Sequence, residues 1–126
     1  MKQSAYLVAE PESVGEARRL VRGALCDRGI DRQRVQDALL VTSELASNAI
    51  GHGSCRGDRF ELEFKLADNR LTLCVRDAGR GRSGPQALEL GAERSAGRGL
   101  AIVSRLARWS ERVVDERREV RAEIDL

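Results

Sequence analysis

The sequence predicts an α+β fold, a two-layer sandwich in which about three helices cover one face of a largely antiparallel sheet. Two observations lead to this prediction. Apolar residues recur at helical spacing through residues 13–49, and later they alternate with polar residues, as they do in half-buried strands. Helices grouped ahead of a run of antiparallel strands, with one more helix between the strands, are typical of this two-layer class.

The two early helices have recognisable ends. Ser13 and Glu16 have the spacing of a capping box, which predicts that the first helix opens there and that Gly29 ends it. Asp31 is predicted to cap a second helix, which ends at the segment "GHGSCRGD". The apolar positions of the two helices are Ala17, Leu20, Val21, Ala24 and Leu25, followed by Val35, Ala38, Leu39, Thr42, Leu45, Ala46 and Ala49.

Five segments have the character of strands. A short one lies around "AYLVA", and "RFELEFKLA" and "RLTLCVRD" alternate apolar with polar residues on either side of the turn signal Asp68-Asn69. These two segments predict an antiparallel hairpin with one covered face. Two more strands are predicted around "ERVVDE" and "EVRAEIDL".

Residues 78–96 separate the hairpin from a third helix, predicted near "GRGLAIVSRLARW". This connection is rich in Gly, Ser, Arg and Pro, and it is too long for an ordinary link in a compact domain. It is therefore predicted to be a functional loop.

The composition narrows the class of protein. The chain of 126 residues is expected to form a single domain over residues 1–126. Charged residues make up 33% of it, but the net charge is only +2, which does not favour a protein that coats nucleic acid. Three cysteines without C-x-x-C spacing and a single histidine do not make a zinc site, and unpaired thiols suit a reducing compartment. No segment has the roughly 20 apolar residues of a membrane span, so a soluble, cytoplasmic protein is expected.

The stretch "SELASNAIGHG" places polar residues beside the apolar stripe of the second helix. Glu44 and Asn48 are four residues apart, so they form a polar ridge at the edge of the core. A glutamate there can act as a general base or position a water molecule, and an asparagine oxygen is a hard ligand suited to Mg²⁺. The alternative is a solvated helix flank that ends at His52.

Asp77 ends the strand "RLTLCVRD" on the same face as Leu71, Leu73 and Val75. A carboxylate on a covered face needs donors, because burial without them costs several kcal/mol. One interpretation is a carboxylate at a pocket floor that accepts from a ligand amino group. The other is an Asx turn at the end of the strand.

Two glycine clusters follow. "GRGRSG", Gly79 to Gly84, fits the G-x-G-x-x-G pattern of dinucleotide-binding oxidoreductases, but it lacks the β-α-β context that this pattern requires. In "AGRGLAIV", Gly97 and Gly99 open an apolar helix whose first amides could hold phosphate, with Arg94 and Arg98 nearby. The alternative for this second cluster is a flexible loop end with solvated arginines.

The order of these clusters resembles the Bergerat nucleotide-binding fold of the GHKL ATPase and kinase superfamily. "ELASN" is similar to its N box, "DAGRG" to its first glycine box and "GRGL" to its second, and the resemblance covers nearly the whole chain from Ser13 onward. It implies a two-layer ATP-binding domain with a mobile ATP lid at about residues 79–96.

The resemblance also implies a role for each matching residue near the base and the metal. Glu44 would be the catalytic base or its equivalent, and Asn48 would be the Mg²⁺ ligand. Asp77 would accept a hydrogen bond from the adenine amino group, and Gly79 and Gly81 would let the backbone approach the base.

The phosphate end of the implied site lies in the lid and in the second glycine box. Gly97 and Gly99 would bring amides to the phosphates, with Arg98 and Leu100 in the same box. Arg94 would lie in the lid near the γ-phosphate or a partner protein.

Among GHKL proteins, a free-standing domain of this length with "SELASNAIGHG" and "ERSAGRGLAIV" looks most like the bacterial anti-sigma factor serine kinases. That resemblance implies an ATP- and Mg²⁺-dependent protein serine/threonine kinase. Its partners would be a sigma factor and a small antagonist protein that it phosphorylates, and relatives commonly form homodimers; neither nucleic acid nor membrane is implied. Two alternatives share the pocket: a nucleotide-gated binding module with little kinase activity, and a switch kinase of a stress-signalling module.

Overall fold

A computed structural model describes residues 1–26, 28–55, 57–79 and 97–126, apart from the side chains of residues 53 and 97–100. All of the implied lid except Gly79 therefore lies outside the described residues. The elements in chain order are β1 (Lys2–Val8), α1 (Glu12–Leu25), α2 (Arg32–Asn48) with a π-helical turn after it (Ala49–Gly53), β2 (Arg59–Ala67), β3 (Arg70–Asp77), α3 (Gly97–Leu106), β4 (Arg108–Val114) and β5 (Arg117–Asp125).

The strands form a five-stranded sheet in the order β1-β2-β3-β5-β4, and every neighbouring pair is antiparallel. The predicted hairpin of β2 and β3 is confirmed. Its turn residues Asp68 and Asn69 have φ of 53° and 58°, the left-handed conformation that suits a two-residue hairpin turn. Asp115 and Glu116, with φ of 52° and 64°, make the equivalent turn between β4 and β5.

The helices cover one face of this sheet, which confirms the predicted two-layer α+β class. Alternate residues of β2, β3 and β5 point into the core with the apolar stripes of α1 and α2. The two helices are also joined by Arg18, which donates from Nη1 to Ser43 Oγ at 2.6 Å and to the Leu39 carbonyl at 3.1 Å. The largest fully buried side chains are those of Phe60, Phe64, Leu25, Leu39, Leu45, Leu62, Leu71, Leu73 and Ile124.

The predicted capping box is wrong. Helix α1 begins at Glu12 with Pro11 at its N-cap, and no side chain caps it. Pro11 has helical φ and ψ of −54° and −33°, so the helical path is already set before Ser13, whose side chain is buried inside the first turn. The first amides are satisfied instead by a turn, since Ser13 N–H donates to the Glu10 carbonyl at 3.0 Å.

The other predicted helix ends are partly right. Asp31 is the N-cap of α2, as predicted, although its side chain makes no capping hydrogen bond. Helix α1 ends at Leu25, earlier than the predicted end at Gly29. Gly29 has a φ of 68° and lies in the connection, where its left-handed conformation turns the chain toward α2. In the described part of the chain, no helix has the length and apolar character needed to cross a membrane.

Candidate functional site

The end of α2 places Asn48 at the inner edge of the helical layer. Asn48 is 5% exposed, whereas Glu44, one helical turn earlier, is half-buried. Asn48 Oδ1 is buried and accepts no hydrogen bond from any described residue. An unsatisfied buried amide oxygen costs about 1–3 kcal/mol, which favours the interpretation that it serves a ligand.

The helix changes from α to π geometry directly after Asn48. The π-helical turn Ala49–Gly53 contains His52, the residue at which the alternative interpretation of the sequence ended a solvated helix flank. Short π segments inside helices are frequent at functional sites, because they displace the following residues relative to a regular helix. The predicted break at "GHGSCRGD" is thus a change of helical type that continues to Gly53.

Asp77 is the last residue of β3 and is 2% exposed, on the helix-covered face. Its Oδ1 accepts a hydrogen bond from the Gly79 N–H at 2.8 Å. The side chain therefore forms the Asx-type turn of one interpretation and also faces the interior, while its contact with a ligand amino group stays a prediction. Gly79 has a φ of 68°, a left-handed conformation that glycine adopts without the strain that a side chain brings.

The sequence interpretation missed the main partner of Asp77, which is Arg118. The two residues lie directly opposite each other on β3 and β5. Arg118 donates to Asp77 Oδ2 from Nε at 3.1 Å and from Nη2 at 2.7 Å, and it is itself only 9% exposed. Alternation could have located it, because Arg118 is two residues before Val120 in the inward-facing series of β5.

Arg118 also connects the strand to the end of α2. Its Nη2 donates to the backbone carbonyl of Asn48 at 3.3 Å. One guanidinium group therefore joins Asp77, from the first glycine box, to Asn48, from the N box, which are 29 residues apart in the sequence. The structure brings these two expected site residues together through a residue that the motifs do not include.

A second carboxylate lies beside this pair. Glu111 on β4 has its Oε1 3.7 Å from Arg118 Nη1, and Oε1 is buried without a hydrogen bond from any described residue. Burial raises the pKa of Glu111, the positive charge of Arg118 lowers it, and the charge of Asp77 raises it again. Its pKa therefore lies above the usual range for a glutamate.

Burial also raises the pKa of Asp77 above its ordinary value. The charge of Arg118, the hydrogen bond from Arg118 and the one from Gly79 oppose this rise without cancelling it. The carboxylate thus depends on the guanidinium to stay ionised in a poorly solvated position.

The second glycine box opens a helix, as predicted. Gly97, Arg98, Gly99 and Leu100 are the first four residues of α3, which packs against α2 and buries Val103. The amides of a helix's first turn have no partners within the helix and can bind an anion. Gly81 and Arg94 lie outside the described residues, so their expected roles stay predictions.

The sequence model of the histidine kinase-like ATPase domain family matches residues 7–124 of the chain. The chain belongs to this family. No curated protein matches it at a significant level. As a histidine kinase-like ATPase domain, it is an ATP-binding module of the GHKL superfamily, and its sheet covered on one face by helices is consistent with the GHKL fold.

The residues of this ATPase domain also fit the Mg²⁺ ion that the resemblance implies. Magnesium is usually bound by one or two protein oxygens together with substrate phosphates, so a cluster of acidic ligands is not required. The described residues contain no group of three or more His, Cys, Asp or Glu that could hold a metal ion. The orphaned Oδ1 of Asn48 is a ligand of the type that a phosphate-bound Mg²⁺ uses.

Proposed function

We propose that this chain is an ATP-dependent protein serine/threonine kinase of the anti-sigma-factor type. It would bind a sigma factor and phosphorylate a small antagonist protein, in the cytoplasm and as a homodimer. The main support is the half-buried Glu44, one helical turn before the orphaned oxygen of Asn48. This places a carboxylate with no described ion-pair partner next to the residue that fits the metal.

Each group in the proposed site has one task. Asp77 accepts a hydrogen bond from the amino group of adenine, and the first amides of α3 hold the phosphates. Asn48 Oδ1 would bind Mg²⁺, which, when bound, offsets the charge of the phosphates. Glu44 accepts the proton of the incoming serine hydroxyl, whose oxygen attacks the γ-phosphorus as the bond to the β-phosphate oxygen breaks.

The kinase proposal is tested by replacing Glu44 with glutamine, which keeps the shape of the side chain and removes its basicity. We expect Glu44→Gln to bind ATP within about threefold of wild type, because Glu44 does not contact the base. Transfer of the γ-phosphate label from ATP to a purified small antagonist protein should fall by about 10²-fold or more, the usual contribution of a general base. Glu16→Gln, an exposed glutamate on α1, is the matched control and should leave both quantities unchanged.

The same assay separates the kinase from the two alternatives. A Glu44→Gln variant that transfers phosphate at the wild-type rate would contradict the assignment of Glu44. A wild-type chain that binds a sigma factor only with ATP present and labels no antagonist would be a nucleotide-gated binding module. A chain that labels an antagonist but retains no sigma factor in a pull-down would be a switch kinase.

A further inference from the structure

The acceptor capacity of Asp77 is almost fully used within the protein. A carboxylate offers about four lone-pair positions, two on each oxygen. Arg118 occupies both positions on Oδ2, through Nε and Nη2, and the Gly79 N–H occupies one on Oδ1. The hydrogen bonds from the described residues therefore leave one position, on Oδ1, for a ligand.

The number of open positions decides which base the carboxylate can bind. Adenine presents a single amino group as a donor, and one acceptor position is enough for it. Guanine presents two adjacent donors, N1–H and the 2-amino group, and satisfying both requires both oxygens of a carboxylate. A guanine base at Asp77 would therefore bury one N–H donor without an acceptor, and this unsatisfied donor would weaken its binding.

We propose that Arg118 is a specificity-determining residue that excludes guanine nucleotides from this site by occupying Oδ2 of Asp77. The inference rests on the proposed contact between Asp77 and the base. Arg118 acts through Asp77, and it is held in place from a second side by the carbonyl of Asn48. Burial keeps Arg118 on Oδ2, because neither side chain of the pair can turn toward solvent without leaving the other as an unpaired buried charge.

The test uses three triphosphates and two substitutions. ATP offers one amino group, GTP offers both guanine donors, and inosine triphosphate offers N1–H alone, so the ratio of GTP to inosine triphosphate affinity measures the second acceptor. Arg118→Met frees both positions on Oδ2, and Arg118→Lys keeps a positive charge while freeing one of them. Arg117→Met is the matched control, since Arg117 is adjacent, exposed and bound to Glu61 on the opposite face of the sheet.

Wild type should bind ATP most tightly and should not prefer GTP over inosine triphosphate. In Arg118→Met we expect GTP to gain about tenfold over inosine triphosphate, the value of one buried hydrogen bond, with a smaller gain in Arg118→Lys and none in Arg117→Met. Affinities are measured by calorimetry at pH 8, because loss of Arg118 removes the cation that opposes the burial-raised pKa of Asp77.

Several results would overturn the inference. A wild-type protein that prefers GTP to inosine triphosphate already has a second acceptor, and this result needs no variant. An unchanged ratio in an Arg118 variant that still binds ATP would show that Oδ2 does not take part in base recognition. If the wild-type protein binds none of the three triphosphates, the chain has no nucleotide site, and the proposed function and this inference are both wrong.

Discussion

Two neighbouring residues of β3 form ion pairs with opposite polarity on the two faces of the sheet. Arg76 points to the open face and pairs with Glu119 of β5, whereas Asp77 points to the helix-covered face and pairs with Arg118 of β5. The shortest distance is 2.7 Å in both pairs. Both carboxylates are buried, so the pairs differ mainly in the face of the sheet on which they lie and in the number of partners that each member has.

The pair on the open face is redundant. Arg76 also contacts Glu63 at 2.7 Å and Glu61 at 3.4 Å, and Glu119 also accepts from Arg112 at 2.7 Å. Loss of either Arg76 or Arg112 still leaves Glu119 with one arginine partner. Asp77 and Arg118, by contrast, have one close ion-pair partner each among the described residues, with Glu111 farther away. The ion pairs on the open face thus connect neighbouring strands of the sheet. The buried pair instead places charged groups in the core, a feature that is more typical of functional sites than of hydrophobic cores.

The largest expected effect comes from breaking the buried pair. Asp77→Ala leaves Arg118 as an uncompensated buried charge, and we expect the free energy of unfolding to fall by about 3–5 kcal/mol. Urea unfolding followed by circular dichroism measures this loss. The double variant Asp77→Leu/Arg118→Met is the control, since it removes both charges and should recover most of the stability while not restoring nucleotide binding. A double variant no more stable than Asp77→Ala would show that the loss is not electrostatic.

A second prediction separates the two pairs by their pH dependence. Burial raises the pKa of Glu119, but hydrogen bonds from Arg112 and Arg76 outweigh it, so the pKa of Glu119 is lowered while that of Asp77 is raised. The stabilisation from Glu119 is present above the unfolded pKa of about 4.3 and is lost as the pH falls through the folded pKa. The raised pKa of Asp77 has the opposite effect on stability. As the pH falls toward the unfolded pKa of about 3.9, the folded state takes up the proton first, so the free energy of unfolding gains from this group.

Unfolding free energies of Glu119→Gln and Asp77→Asn between pH 7 and pH 3 measure these slopes. Glu119→Gln should be about 1–3 kcal/mol less stable than wild type at pH 7, and this difference should shrink below about pH 4. The free energy of unfolding of wild type should rise relative to that of Asp77→Asn as the pH falls from 7 toward 4. Two differences that move in the same direction would contradict the assigned pKa directions.

The contrast between the faces also explains what the sequence could predict. Alternation placed Asp77 on the covered face correctly, because the strand containing Leu71, Leu73 and Val75 has an unambiguous period. Arg118 continues the inward alternation of Val120, Ala122 and Ile124, but its place in the charged run "DERREV" does not indicate which residue it contacts. Its pairing with Asp77 follows only from the register of β3 and β5, and that register depends on residues 41 positions apart.

The helix ends show the same limit on a local scale. The capping box at Ser13 was wrong because Pro11, two residues earlier, already fixes helical geometry. The orphaned oxygen of Asn48 could not be predicted either, since a four-residue spacing sets the face of a helix but not which donors lie opposite. Local periodicity therefore predicts layers and faces, and the polar contacts of the site require the packed structure.

The smallest expected effect comes from the exposed end of the open-face network. Arg112 has a side chain that is 63% exposed, although its 2.7 Å bond to Glu119 is as short as the bond between Arg118 and Asp77. Arg112→Met should change the free energy of unfolding by less than about 1 kcal/mol, because water screens the pair and Arg76 keeps Glu119 bonded. Urea unfolding at low salt and at 1 M NaCl measures the effect, which should shrink in salt. A loss above about 2 kcal/mol would mean that bond length, and not burial, sets the strength of these pairs, and the contrast between the two faces would then fail.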